Sequence, residues 1–592
     1  MSDAAPQERR GLHQRRCRYW VRCWQAVGTT RAKWLITWHE RRAELPPPSS
    51  PGTWTAISDP WRMSSVDPRW APPQESQPFL AAPPPRPAMP QRPPLQRPHR
   101  AAYVLAVIMP VILLAVMAAP LGLAWTMSRT RQPPSSVTTP PPLDPNATDG
   151  QPGLGDPYYP QAGNSGYDVT KYQIMINWDP RTQTITGTTT INARATQHLN
   201  SFYFDLALHT DKVSVNGVPA ESIARGFSDV YVKPAQPIAA SGTFQVVVGY
   251  SGKPGDIQQG DVHPWWSTDG EWTIAGEPES SAWWYPANDH PSDPALMDVS
   301  MRVPAGMEAI SVGRLESADS GNEKDFDTWH WIARQPMASY LNFMTIGQYE
   351  LRRGSDHGLP YLYAVSEKLS PEQRKTAFAA LMSSGSRIRT LETMFGPYPF
   401  TEIGGVVPVH KLLFGGLETQ TRPVYDARSI LDKNFEPGLL THELAHMWFG
   451  DNVTVRQWND IFTTEGYASW AQWGASERIG GRKANDILNR AYERLKDDDD
   501  FWKITMIDPG RAHLFDAVYL RGPMALQALR NVMGDEAFFK MSRDWAQDPG
   551  SRTLEEWMAD AQSYTTVDLG PFFRAWIYSP TAPARTAANG FR

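Results

Sequence analysis

Between Tyr167 and about Glu350, apolar side chains recur at every second position in short runs. Tyr172, Ile174 and Ile176 share one face. Ile185, Thr189, Ile191 and Ala193 share another, interrupted at Gly187, and Phe244, Val246 and Val248 repeat the pattern. Period-two runs broken by turn signals about every ten residues predict an antiparallel sandwich. Beyond about residue 366 the spacing turns helical, with Ala377, Leu381 and Leu391 separated by charged residues, and such segments continue to the C-terminus. Upstream, Ala101–Met127 contains no charged residue. At about 1.5 Å per residue it is long enough to cross a hydrocarbon core about 30 Å thick. His99, Arg100 and the basic excess before them place that side in the cytoplasm. A secretory signal ending near Val116-Met117-Ala118 competes with this reading, but its leader would be unusually long. A retained single-pass anchor is therefore the expectation, with the bulk of the chain extracellular.

Composition divides the chain further. At 592 residues, 41% of them hydrophobic, it holds several domains and can bury a sizeable core. The 54 prolines are unevenly spread. Residues 1–100 mix Arg, Trp and Pro without an apolar period and read as a disordered basic tail. Residues 128–165 read as a linker, 166–355 as the β domain, 356–582 as the helical domain and 583–592 as a tail. The first hundred residues carry 16 Lys/Arg against 7 Asp/Glu, so with a net charge of -5 overall the remainder is strongly acidic. An acidic body without a basic stripe argues against nucleic acid as a partner. Both cysteines, Cys17 and Cys23, lie in the tail, so any metal in the folded part is held by His, Asp or Glu. The run Asp497–Asp500 reads as an exposed loop rather than a calcium site.

Thr441-His442-Glu443-Leu444-Ala445-His446 contains His-Glu-x-x-His between Pro437, suited to a helix start, and Gly450, suited to its end. On a helix His442 and His446 lie one turn apart on one face, so their ring nitrogens can meet one zinc ion. Glu443, turned by about 100°, reaches a metal-bound water rather than the metal. Catalytic zinc keeps three protein ligands and one open position. Glu465, with 18 residues between it and His446 and opening a second helical stretch, is the third.

This constellation resembles the gluzincin family of aminopeptidase N and leukotriene hydrolase. Phe395-Gly396-Pro397-Tyr398-Pro399-Phe400 resembles the family segment entering the catalytic domain. Gly415-Gly416-Leu417-Glu418 looks like its Gly-x-Met-Glu-Asn exopeptidase motif. Val518-Tyr519-Leu520-Arg521-Gly522 looks like the block with the catalytic tyrosine. Met337-Ala338-Ser339-Tyr340-Leu341 and Trp284-Tyr285-Pro286-Ala287-Asn288-Asp289 resemble signatures of the β domain. The resemblance covers about 165–582. It implies an α+β multidomain fold: an N-terminal antiparallel, saddle-like β-sandwich and a thermolysin-like, mainly α catalytic domain, here behind a single transmembrane helix. Three features depart from the family. Leu417 and Thr419 stand where it has Met and Asn, Phe462-Thr463-Thr464 replaces Trp-Leu-Asn, and the helical C-terminal domain of many members does not follow, which implies a more open cleft.

The implied activity is a zinc aminopeptidase with one Zn2+ per chain, acting on peptides with a free N-terminus. Glu443 is the expected general base and Tyr519 the donor to the oxyanion. Glu418 and Glu277, with Glu279 in reserve, are expected to hold the substrate amine, beside Gly415 and Gly416. A thermolysin-like endopeptidase is the first alternative, but it needs no amine clamp. A branch of the family hydrolyses epoxides in a deep apolar tunnel. A catalytically silent surface-binding module would not need the intact ligand set.

Overall fold

The computed structural model describes residues 149–259 and 264–592. Tyr167–Asp179 and Thr184–Ala195 pair as a long antiparallel hairpin at the centre of an eight-stranded sheet. The alternation accounts for it: Tyr172, Ile174 and Ile176 are buried while Gln173, Met175 and Asn177 are exposed. The interruption at Gly187 has a steric cause. Tyr250 lies directly across from it, and a Cβ at residue 187 would stand 2.2 Å from the Tyr250 ring.

The sheet is not purely antiparallel, as the sequence led one to expect. Tyr167–Asp179 runs parallel to its other neighbour, Ala295–Pro304. No tight turn can join parallel neighbours. The chain between them instead builds a three-stranded sheet (Phe202–Asp205, Asp229–Lys233, Glu221–Arg225) and half of a four-stranded one. The four-stranded sheet contains Trp265–Thr268 and Glu271–Ile274 and is completed by Met344–Gly347 and Glu308–Ile310.

A five-stranded sheet starts the second half. Tyr349–Asp356, Leu359–Ser366, Ile403–Val407, Val424–Tyr425 and Gly416–Leu417 lie in that order, which leaves Gly416–Leu417 at an edge. The first hairpin straddles the junction expected at 355/356. Leu359–Ser366 and Ile403–Val407 are parallel, joined through helices α1 (Pro371–Leu381) and α2 (Ser384–Phe395). Helix α1 begins where Ser370 and Gln373 form a capping box and Pro371 takes the first turn. Ala377, Leu381 and Leu391 are fully buried, as their spacing predicts. Helices α3 (Glu436–Ala445), α4 (Tyr467–Arg478) and α5 (Val518–Met533) follow and carry the site.

The described chain is thus a mixed α/β fold of several sheets. The expected transmembrane helix is not supported: no helix among the described residues is long and apolar enough to cross a membrane. Residues 1–100, the apolar stretch 101–127 and 128–148 lie outside the described residues. The last part of the expected linker, from residue 149, is folded. Asp156 is 2% exposed and accepts the backbone N–H groups of Tyr158, Tyr159 and Trp458 at 2.7, 2.9 and 2.8 Å. Its carboxylate also lies 3.3 Å from His290 Nε2. Tyr158 donates to Asp508 and accepts the Gly510 N–H. The segment is a strap joining the β half to the helical half.

Candidate active site

Helix α3 has no apolar stripe because it is covered all round: every residue from Leu439 to Ala445 is buried. His442 and His446 project from it one turn apart, their Nε2 atoms 3.1 Å from each other. Glu465 comes from a turn of π-helix, Phe462–Gly466, that leads into α4. Such widened turns cluster at functional sites. Glu465 Oε2 lies 3.0 Å from His442 Nε2 and 3.4 Å from His446 Nε2. It is buried and makes no hydrogen bond among the described residues. Two imidazole nitrogens and an orphaned carboxylate oxygen meeting at one point form a donor set that fits zinc. Glu443 also offers an oxygen within 4.8 Å of both imidazoles. Of the two carboxylates, it is Glu465 whose oxygen is in contact with both rings.

The outer ring nitrogens are held as metal ligands require. His446 Nδ1 donates to the Phe449 carbonyl at 3.0 Å. His442 Nδ1 lies 3.0 Å from the Gln472 amide. The Gln472 Nε2 is the amide atom placed there; with the amide turned over so that its oxygen faces the ring, Nδ1–H donates and His442 Nε2 carries the lone pair. Gln472, on α4, is seven residues beyond Glu465, about two helical turns. A polar residue at that spacing was the available signal, and sequence reading passed over it.

Glu443 faces Gly416 so closely that a Cβ on residue 416 would sit 2.4 Å from Glu443 Oε1. Gly416 is on the edge strand, so its outer backbone groups have no strand neighbour among the described residues. The Gly415 carbonyl, in contrast, is taken by the Asp426 N–H at 2.9 Å. Thr419, at the departed motif position, closes a turn with Arg422 instead of facing the cleft. Glu418 is 3% exposed, and its Oε1 accepts the Tyr340 hydroxyl at 3.0 Å. Glu277, half-buried in the loop after Glu271–Ile274, is within electrostatic reach of Glu418, Glu465 and Glu443. Glu279 instead neighbours Asp289, Arg511 and Asp156, so Glu277 is the one of the pair that faces the site.

Tyr519 donates to Glu465 Oε1 at 2.9 Å, and its ring centroid lies 5.8 Å from that of His442. Its position follows from a glycine pair. Gly522, one turn on, meets Gly466, the residue after Glu465: a Cβ at 522 would lie 2.8 Å from Gly466 Cα. Arg521, fully buried, anchors the same turn by donating to the carbonyls of Trp502, Ile504, Trp576 and Ser579.

Negative charge dominates the pocket. Burial raises Glu443, Glu418 and Glu277 above the usual carboxylate range, and mutual repulsion adds to it. Burial also opposes ionisation of Glu465, but the adjoining imidazoles of His446 and His442 outweigh it and hold Glu465 low. Asp451, missed in the sequence, is a further acid: both its oxygens are buried without a hydrogen bond among the described residues. Such a surplus of buried carboxylates favours cations, both a metal and an ammonium group.

Comparison with known proteins agrees with this geometry. Residues 386–556 match the Peptidase family M1 domain. Leucyl aminopeptidase of Saccharolobus solfataricus is 23% identical over 334 residues, covering 52% of this chain and 41% of that protein. Aminopeptidase N of Lactococcus lactis subsp. cremoris is 23% identical over 457 residues, covering 70% of this chain and 51% of that protein. The chain therefore spans about half the length, or less, of these relatives. The crystal structure of an M1 zinc metallopeptidase from Deinococcus radiodurans superposes with a TM-score of 0.65 at 25% identity, covering 73% of this chain and 98% of that one. Residues 386–556 thus carry a Peptidase family M1 domain, and the fold and motif order around it are similar to those of M1 peptidases.

Proposed function

We propose that the protein is a zinc-dependent aminopeptidase that removes N-terminal residues from peptides, with one zinc per chain held by His442, His446 and Glu465. Zinc there supplies Lewis acidity, acidifying a water and polarising the scissile carbonyl. Glu443 accepts the proton of the attacking water and delivers it to the leaving amine. The Tyr519 hydroxyl, now spent on Glu465 Oε1, turns to the oxygen that gains charge as the carbonyl becomes tetrahedral. Gly416 and Leu417, on the sheet edge, offer backbone groups for pairing with an extended substrate. Glu418 and Glu277 take the α-ammonium by charge-assisted hydrogen bonds.

The observation that carries this reading is the placement of Glu418 two residues from Gly416, which itself abuts Glu443. An extended chain advances about 3.4 Å per residue. An amine held at Glu418 is therefore kept within about two residues of the base, at the N-terminal end of the substrate.

The test is turnover of a panel of aminoacyl amides by the intact protein, its metal stripped, and its metal restored. Activity should vanish and return with zinc. Glu443→Gln should bind zinc as the parent does yet turn over about 10²–10⁴-fold more slowly, because the amide cannot accept a proton. Near-parental rates in a zinc-loaded Glu443→Gln protein would sink the assignment.

A further inference from the structure

We infer that Tyr340 is a positioning residue for substrate selection: its phenol holds one oxygen of Glu418 so that the other faces the substrate amine. This rests on the amine-clamp reading above. The Tyr340 hydroxyl donates to Glu418 Oε1 at 3.0 Å, and the residue is 3% exposed. Its ring packs edge-on against Trp458, with centroids 5.4 Å apart and planes at 61°. The turn that carries it is fixed on both sides. Ser339 Oγ donates to Asp289 Oδ1 at 2.7 Å, and the Leu341 carbonyl accepts the Gln420 N–H at 3.3 Å. One short turn of the β half thus grips the strand end of the other half twice, at the Glu418 side chain and at the backbone of residue 420.

The chemistry of that grip bears on selection. A glutamate has several rotamers, and Glu277 repels this one. Without the phenol, Glu418 is free to swing away from its neighbour. With one oxygen satisfied by a neutral donor, the other remains a pure acceptor for the substrate. An ammonium group supplies charge-assisted donors to it, whereas an α-hydroxyl offers one neutral donor. Discrimination between the two therefore depends on where Glu418 points.

The experiment compares kcat/KM for an aminoacyl amide and for its α-hydroxy counterpart in four proteins: parent, Tyr340→Phe, Glu418→Gln and the double variant, with zinc content measured in each. Tyr340→Phe keeps the ring and its packing. A hydrogen bond to a charged group is worth enough for the amine-over-hydroxyl ratio to fall about tenfold or more. The loss should be carried by KM, with zinc retained, and Tyr340→Phe should add nothing once Glu418 is Gln. A parental ratio in Tyr340→Phe beside a reduced one in Glu418→Gln would overturn the role of Tyr340 and leave the amine clamp standing. So would losses that multiply in the double variant. An unchanged ratio in Glu418→Gln itself would bring down the amine clamp, and Tyr340 with it.

Discussion

Gly522 shows how much of the site depends on an atom that is missing. Adding a methyl group there places carbon 2.8 Å from Gly466 Cα, a backbone atom that cannot move aside without moving Glu465. The Tyr519 hydroxyl and the Glu465 carboxylate, 2.9 Å apart, sit on the two sides of that contact. A catalytic group misplaced by 1 Å can cost about 10²-fold. Gly522→Ala should therefore lower kcat by about tenfold or more in a protein that still melts cooperatively. In a Tyr519→Phe background the same substitution should cost far less, since the hydroxyl it displaces is already gone. Equal losses in both backgrounds, measured by steady-state kinetics, would show that Gly522 matters only for packing. Gly416 follows the same logic beside Glu443, where even a β-carbon has no room.

The helices and strands differ in how openly their sequences declare them. His442, Glu443 and His446 were legible because a single helix fixes their directions, and Glu465 because a short helix–loop–helix brings it back. Strands such as Tyr167–Asp179 were legible because one face is buried and the other wet. What could not be read was pairing between distant segments. The parallel partner Ala295–Pro304 and the contacts of Tyr340 and Gln472 depend on tertiary approach, to which local periodicity is blind. The strap is the clearest case: its Pro- and Gly-rich sequence reads as linker, yet Asp156 binds three backbone N–H groups. Burial alone would raise Asp156, but His290 and those N–H groups outweigh it, and its carboxyl stays below the usual range. A depressed carboxylate adds stability that is present above its unfolded value of 3.8 and is lost as pH falls through the folded value. Asp156→Asn should thus destabilise the protein by about 1–3 kcal/mol near neutrality. The gap between the melting curves of variant and parent should narrow as pH drops below about 4. A gap that stays constant with pH would contradict the ionised strap anchor.

Across the whole molecule, two halves supply one cleft. The β half brings Glu277 and Tyr340, and the second half brings the imidazoles, Glu465, Glu443, Glu418 and Tyr519. Carboxylates from both halves lie within electrostatic reach of one another, an arrangement that suits the proposed binding of a cationic chain end. Acetylating a peptide removes that charge and leaves the carboxylates facing each other unpaired, an arrangement that costs several kcal/mol in the worst case. The most direct test is a time course by mass spectrometry on one peptide, free and N-acetylated, with the zinc-loaded protein. The free peptide should yield a ladder losing one residue at a time from its N-terminus, and the acetylated one should persist. Internal cleavage of the acetylated peptide at a rate like that of the free one would contradict the aminopeptidase assignment and point to an endopeptidase.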